Sequence, residues 1–208
     1  MACRDLLIYL RDTADLGVAY GQMPGADISI DGYGDAEFGG NRSTGRALGG
    51  YNIMVKGGLV SLKAHEQGGV TRSSNEAETI TFTDTAAAVI KIKHYLADMG
   101  MTLARSPIIH VDNANVIKSC QNVALTTAAR HYAQAYHWGR QLYREGKIRL
   151  QQVRSQDNMA DIFTKPLHRG KHEQHRGALG MTTRAALRGI SVTDAVAVSA
   201  TQMIPVGI

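Results

Sequence analysis

"ISIDGYGDAEF", residues 28–38, decides how the chain is read. Ile28 and Ile30 alternate with polar neighbours, the period of a half-buried strand. The run then reaches a carboxylate, Asp35, among small residues. Three more acids stand in comparable settings: Glu78 in "TRSSNEAETI" (71–80), Asp112 in "IIHVDNANVI" (108–117) and Asp161 in "DNMADIFTKPL" (157–167). Taken singly, an acid at a strand end or helix start is most often a turn or cap residue. Four of them gathered by a fold would repel one another at neutral pH unless divalent cations lay between them. Hard cations on carboxylate oxygens are the usual means of cutting phosphodiesters.

Working outward, "ALGGYNIMVKGGLVSLKAHEQ" (47–67) predicts two strands joined at Gly57-Gly58. Residues 73–100 predict a helix capped by Ser73 or Ser74, with Glu76 and Glu78 in its first turns and Gly100 at its close. Its apolar positions Ile80, Ala87, Ile90 and Tyr95 fall at roughly helical spacing. "SPIIHVDN" (106–113) is a short buried strand ending on Asp112, followed by helices over 115–122 and 128–146, with Gly146 as stop signal. "KIRLQQVRS" (147–155) alternates as a strand. "NMADIFTKPL" (158–167) starts a helix that Pro166 limits. Upstream, residues 4–12 predict a helix and "GVAY" (17–20) a short strand, with a boundary at "GQMPGA" (21–26). The order β-β-β-α-β-α-α-β-α implies an α/β protein, a mixed sheet with helices packed on it.

Composition narrows the partners. The 208 residues carry a formal net charge of +5, which fits a polyanionic partner or nothing beyond solubility. Two cysteines without a pairing pattern, Cys3 and Cys120, fit a reducing, intracellular setting. No apolar run approaches the roughly 20 residues that span a bilayer, and the first fifteen residues do not read as a signal peptide. In the implied sheet Asp35 lies on the first strand, Asp112 at the end of the fourth, and Glu78 and Asp161 on flanking helices. Such ligands can converge to hold two ions roughly 4 Å apart. No Ser/His/Asp or Cys/His arrangement suggests a protein nucleophile.

Residues 1–181 resemble the ribonuclease H end of a copia-type LTR retrotransposon polyprotein. "NMADIFTKPL" matches that family's most recognisable phrase almost letter for letter. "SSNEAET" (73–79) is similar to its "SSTEAEY", and "GYGDAEFGG" (32–40) to its "GYSDADWAG". "VDNANVI" (111–117) and residues 129–153 follow the family pattern, and "LLIYLRDTADLGVAY" (6–20) resembles the end of the preceding reverse transcriptase region. Phe38, Thr79 and the longer "NRSTGRALGGY" (41–51) depart from it without removing an acid.

The resemblance implies a ribonuclease H-like fold, a five-stranded mixed sheet flanked by helices. It implies residues 1–22 as the end of the reverse transcriptase or connection region, 23–181 as the ribonuclease H domain, and 182–208 as a tail of unknown structure. It implies an endoribonuclease that cleaves the RNA strand of RNA–DNA hybrids with two Mg²⁺ or Mn²⁺ ions, held by Asp35, Glu78, Asp112 and Asp161, with Glu76 as runner-up to Glu78. The setting is reverse transcription beside the upstream reverse transcriptase, in a cytoplasmic virus-like particle or the nucleus. A catalytically inactive nucleic-acid-binding relic and a structural domain of the polyprotein are the alternative readings. For the hybrid, Arg42, Ser43 and Thr44 are read as phosphate contacts and Asn113 as a minor-groove contact. Arg140, Arg144, Lys147 and Arg149 form either a basic contact cluster or a solvated face. Tyr132, Tyr136 and Trp138 are assigned to the core, and His168, His172 and His175 to a flexible basic segment.

Overall fold

Described in the computed structural model are residues 2–20, 27–121 and 133–188. In chain order they form helix α1 (Ala2–Asp12), strands β1 (Leu16–Val18), β2 (Ile30–Glu37), β3 (Leu48–Val55) and β4 (Gly58–Glu66), helix α2 (Ser74–Asp98) and strand β5 (Ile108–Val111). Helices α3 (Ala114–Gln121) and α4 (Ala133–Arg144), strand β6 (Arg149–Gln152), helix α5 (Arg169–Ala178), strand β7 (Met181–Thr183) and the short helix α6 (Arg184–Arg188) follow.

The expected five-stranded mixed sheet is present, in the order β4-β3-β2-β5-β6. The β2–β3 and β3–β4 pairs are antiparallel, whereas β2–β5 and β5–β6 are parallel. β2 and β5 therefore end at the same edge, and that edge carries the acids. The β3–β4 turn is formed by Lys56 and Gly57, with φ of 49° and 74°, rather than by Gly57-Gly58. Positive φ at both central residues matches the twist of a tight hairpin, and Gly58 already belongs to β4.

α2 packs closely on one face of the sheet. A Cβ at Gly34 would stand 2.5 Å from Thr85 Oγ1, and one at Gly49 would stand 2.8 Å from Thr81 Oγ1. The buried stripe of α2 is Ala77, Thr79, Thr81, Phe82, Thr85, Ala86, Val89 and Leu96. The expected apolar stripe is displaced, with Tyr95 49% exposed and Ala87 exposed. Threonine can be buried here because its hydroxyl bonds back one turn: Thr79 to the Asn75 carbonyl, Thr85 to that of Thr81. Ile30, Ile53, Phe82, Val89, Ile109, Val111, Val116, Leu142 and Ile148 complete this core.

The opposite face is covered by a 3₁₀ turn, Met159–Phe163, and by Leu179 against Met54 and Leu59. The predicted helix at 158–167 is confined to this tight turn: Asn158 caps its start, and Pro166, lacking an amide hydrogen, cannot continue a helix. The histidine-rich segment is the helix α5, not a flexible stretch: His168 caps it and His175 is 1% exposed. β1 pairs antiparallel with β7, and Tyr20 donates to the Leu59 carbonyl at 2.6 Å. Residues 16–20, read from sequence as the end of an upstream region, thus dock onto the same body. Residues 21–26, Tyr132 and residues 189–208 lie outside the described residues, as does the Tyr136 side chain.

Candidate active site

Asp35, two residues before the end of β2, has a side chain only 1% exposed. It sits opposite Gly50 of β3. Its neighbour Gly34 faces α2, so Asp35 points to the other face, into the 3₁₀ turn and the residues after it. Asp112 follows β5 directly, and Glu78 rides the first turns of α2. One carboxylate oxygen from each of Asp35, Glu78 and Asp112 lies within 4.8 Å of the other two. Glu76, the runner-up, is used elsewhere: its amide donates to the Ser73 cap and its carboxylate accepts from the Arg72 amide at 2.7 Å.

Asp161 comes to the same edge but joins by another route. Lys165 Nζ donates to Asp35 Oδ1 at 2.8 Å and to Asp161 Oδ1 at 2.7 Å, bridging them. Lys171, from α5, donates to Asp161 Oδ2 at 3.2 Å. The Thr164 hydroxyl donates to Asp35 Oδ2. Fully buried Asn158 clamps the turn to β2, donating to the Gly34 carbonyl at 3.0 Å and accepting from the Ala160 amide at 3.2 Å. Thr164, Lys165 and Asn158 lie within the quoted 158–167 phrase, yet sequence reasoning gave them no role. The available signal was Lys165 at i+4 from Asp161, a spacing that lets opposite charges meet on one turn.

The electrostatics are those of a cation site. Burial raises Asp35 above the usual carboxylate range, opposed by Lys165 and Thr164. Burial, then Asp35, then Asp112 push Glu78 up to about 9, against Lys165 and the Ala36 amide. Burial alone would lower Lys165, but the two carboxylates outweigh it and hold the ammonium charged above the ordinary lysine range. Asp112 Oδ1 is buried without a hydrogen-bond partner. An orphaned carboxylate oxygen beside two more carboxylates fits a hard divalent cation.

The expected substrate contacts fall around this edge. Arg42, Ser43 and Thr44 lie in the β2–β3 connection. Ser43 is engaged with Asn41 Oδ1, and Thr44 with Glu66 at 2.8 Å. Asn113 Oδ1 accepts from the Asn115 amide at the start of α3. The proposed basic cluster breaks up, since Arg140 is 7% exposed and Lys147 pairs with Glu145 at 2.6 Å. Arg144 and Arg149 stay exposed. Trp138 is 37% exposed rather than core.

Gly50 ties the sheet to this site. A Cβ there would stand 2.6 Å from Phe163 Cβ and 3.1 Å from Thr164 Cγ2. Gly50→Ala is expected to cost about 1–3 kcal/mol by overpacking. It should displace the turn that carries Asp161. Thermal melts read the first effect and a hybrid-cleavage assay the second; an unchanged Tm would show that the contact relaxes freely.

No protein-family model matches the chain. It is 30% identical over 181 residues to the retrovirus-related Pol polyprotein from transposon RE1 of Arabidopsis thaliana. That match takes in 87% of the chain and 12% of the polyprotein. It is 28% identical over 180 residues to that from transposon TNT 1-94 of Nicotiana tabacum, covering 86% of the chain and 13% of the polyprotein. The chain thus spans about one-eighth of the length of these curated relatives. Its fold matches LC11-RNase H1, solved in complex with RNA/DNA hybrid, with a TM-score of 0.50 at 16% identity over 65% of this chain and 94% of that one.

Proposed function

Because the chain belongs among the retrotransposon Pol polyproteins as their ribonuclease H domain, we propose that it is an endoribonuclease, cutting the RNA strand of RNA–DNA hybrids during reverse transcription. The observation that carries this is the convergence of Asp35, Glu78 and Asp112 from β2, α2 and the end of β5, with the Asp112 Oδ1 oxygen left open.

Asp35, Glu78, Asp112 and Asp161 are the residues that would hold Mg²⁺ or Mn²⁺. Two such ions, when bound, supply an activated water and neutralise charge building at phosphorus and on the departing oxygen. The protein's own share is positional. Asn158 and Thr164 fix Asp35 and Asp161 against each other, and the Ala36 amide hydrogen-bonds Glu78. The C-terminal edge of β2 and β5 opens onto the 41–46 connection, where exposed Arg42 can meet a phosphate and Ser43 and Thr44 shape the turn. Asn113 stands beside Asp112 for a minor-groove contact.

The upstream reverse transcriptase is the proposed neighbour, in a virus-like particle or the nucleus. Helix α1 supports it, leaving Leu6 57% and Leu7 67% exposed on a helix that a further domain would cover. Among the described residues no helix is long and apolar enough to cross a membrane.

The test is a 5′-labelled RNA annealed to DNA, incubated with the purified chain. Cleavage is expected with Mg²⁺ or Mn²⁺, none with EDTA, and none of the same RNA left single-stranded. Hybrid that is bound but stays intact at saturating Mg²⁺ would select the binding-relic reading. Cleavage restored only by adding the upstream region would select the structural-domain reading.

A further inference from the structure

The four acids do not present four equivalent oxygens. Asp161 has an ammonium on each: Lys165 on Oδ1 at 2.7 Å and Lys171 on Oδ2 at 3.2 Å. Asp35 divides its own between Lys165 on Oδ1 and the Thr164 hydroxyl on Oδ2. Asp112 keeps a buried oxygen, Oδ1, without a hydrogen-bond partner, and its carboxylate lies with those of Asp35 and Glu78. The edge therefore has one open cation position, among Asp35, Glu78 and Asp112. It has a second interval, between Asp35 and Asp161, that a cation of the chain itself already fills.

We propose that Lys165 is a tethered occupant of that second interval, so that the free protein takes one divalent ion and Asp161 becomes a ligand only when Lys165 leaves. The inference rests on the reading of the site given above. The chemistry favours an exchange. An ammonium and a divalent cation cannot share the space between two carboxylates without repulsion, since they compete for the same lone pairs. Lys165 is a flexible, compact charge, 34% exposed, able to swing to a new anion. A phosphate of bound nucleic acid is the anion this site would meet. Nucleic-acid binding would then draw Lys165 off Asp161 and open the second position where substrate is present. Lys171 would still hold the far oxygen of Asp161 in place.

Metal counting separates this from the site reading. The full chain, freed of metal, is titrated with Mn²⁺ without nucleic acid, the free ion read by electron paramagnetic resonance. Wild type is expected to bind one ion. Lys165→Met should bind two, the second tightened on the order of tenfold, about 1.4 kcal/mol. Lys165→Arg, which keeps the charge, should stay at one. With two Mn²⁺ per protein, adding a hybrid with a cleavage-resistant RNA strand should give wild type the spin-coupled electron paramagnetic resonance spectrum of a close ion pair, which neither the protein nor the hybrid alone should show.

A wild-type count of two before any nucleic acid is added overturns the proposal without recourse to a variant. So does a folded Lys165→Met that still takes one ion; in both cases the metal site itself stands. No bound ion in wild type or variant overturns the site reading and this inference together.

Discussion

Asp35→Asn is expected to leave the chain folded while cutting hybrid cleavage by about a thousandfold or more. Asp35 is the acid that belongs to both halves of the edge. It shares the open position with Glu78 and Asp112, and it shares Lys165 with Asp161. A carboxamide keeps its shape and can still accept the Thr164 hydroxyl. It offers one neutral oxygen where a hard cation needs anionic ones. Stability should move little. Burial already raises the Asp35 carboxyl, so removing that charge lifts a desolvation cost that offsets the lost pairing with Lys165. Lys165 also keeps Asp161 as a partner. Circular-dichroism melts within about 4 °C of wild type, roughly 1 kcal/mol for a chain of this size, would establish the fold. Cleavage within tenfold of wild type would remove Asp35 from the chemistry.

How far the site could be read from sequence depends on how each residue reaches it. Asp35 and Asp112 were legible because each follows an apolar run whose period gives away a strand, and strand ends are where parallel neighbours put their ligands. Glu78 was separable from Glu76 in the folded chain by capping: the Ser73 cap places Glu76 at the reciprocal position, where its carboxylate returns to the Arg72 amide. Lys165 and Lys171 were not legible. Long side chains reach a site from positions whose backbone periodicity says nothing about it. α5 was hidden for a related reason. Its sequence, RGKHEQHRGA, has no apolar stripe, and it is held by a His168 cap and a buried His175. The threonine face of α2 defeated pattern reading because its hydroxyls are satisfied within the helix and so count as apolar surface.

Glu78 makes the metal requirement visible in stability alone. Its carboxyl stands near 9 in the folded chain against an ordinary value of 4.5, driven first by burial and then by Asp35 and Asp112. Between those values the folded protein holds a proton that the unfolded chain has released. Its contribution is therefore fully present below about 4.5 and is lost as pH rises through 9. Asp35, also raised, acts in the same direction. Lys165 is charged throughout this range and adds no slope, and His175, held low by burial, acts in the opposite direction, gaining stability as pH rises through its ordinary value of 6.5. Without divalent ions the Tm is accordingly expected to fall by about 5 °C between pH 7 and pH 9. A cation at Asp35, Glu78 and Asp112 replaces the proton, so saturating Mg²⁺ should flatten that fall and its binding at pH 7 should release a proton into the buffer. Glu78→Gln, neutral at every pH, should remove the Glu78 share of that fall with no metal present, leaving the smaller shares of Asp35 and of the buried Cys120 thiol. A Glu78→Gln melt that keeps the full wild-type slope would mean that Glu78 is not held protonated in the folded chain, and the cation site would lose its electrostatic basis.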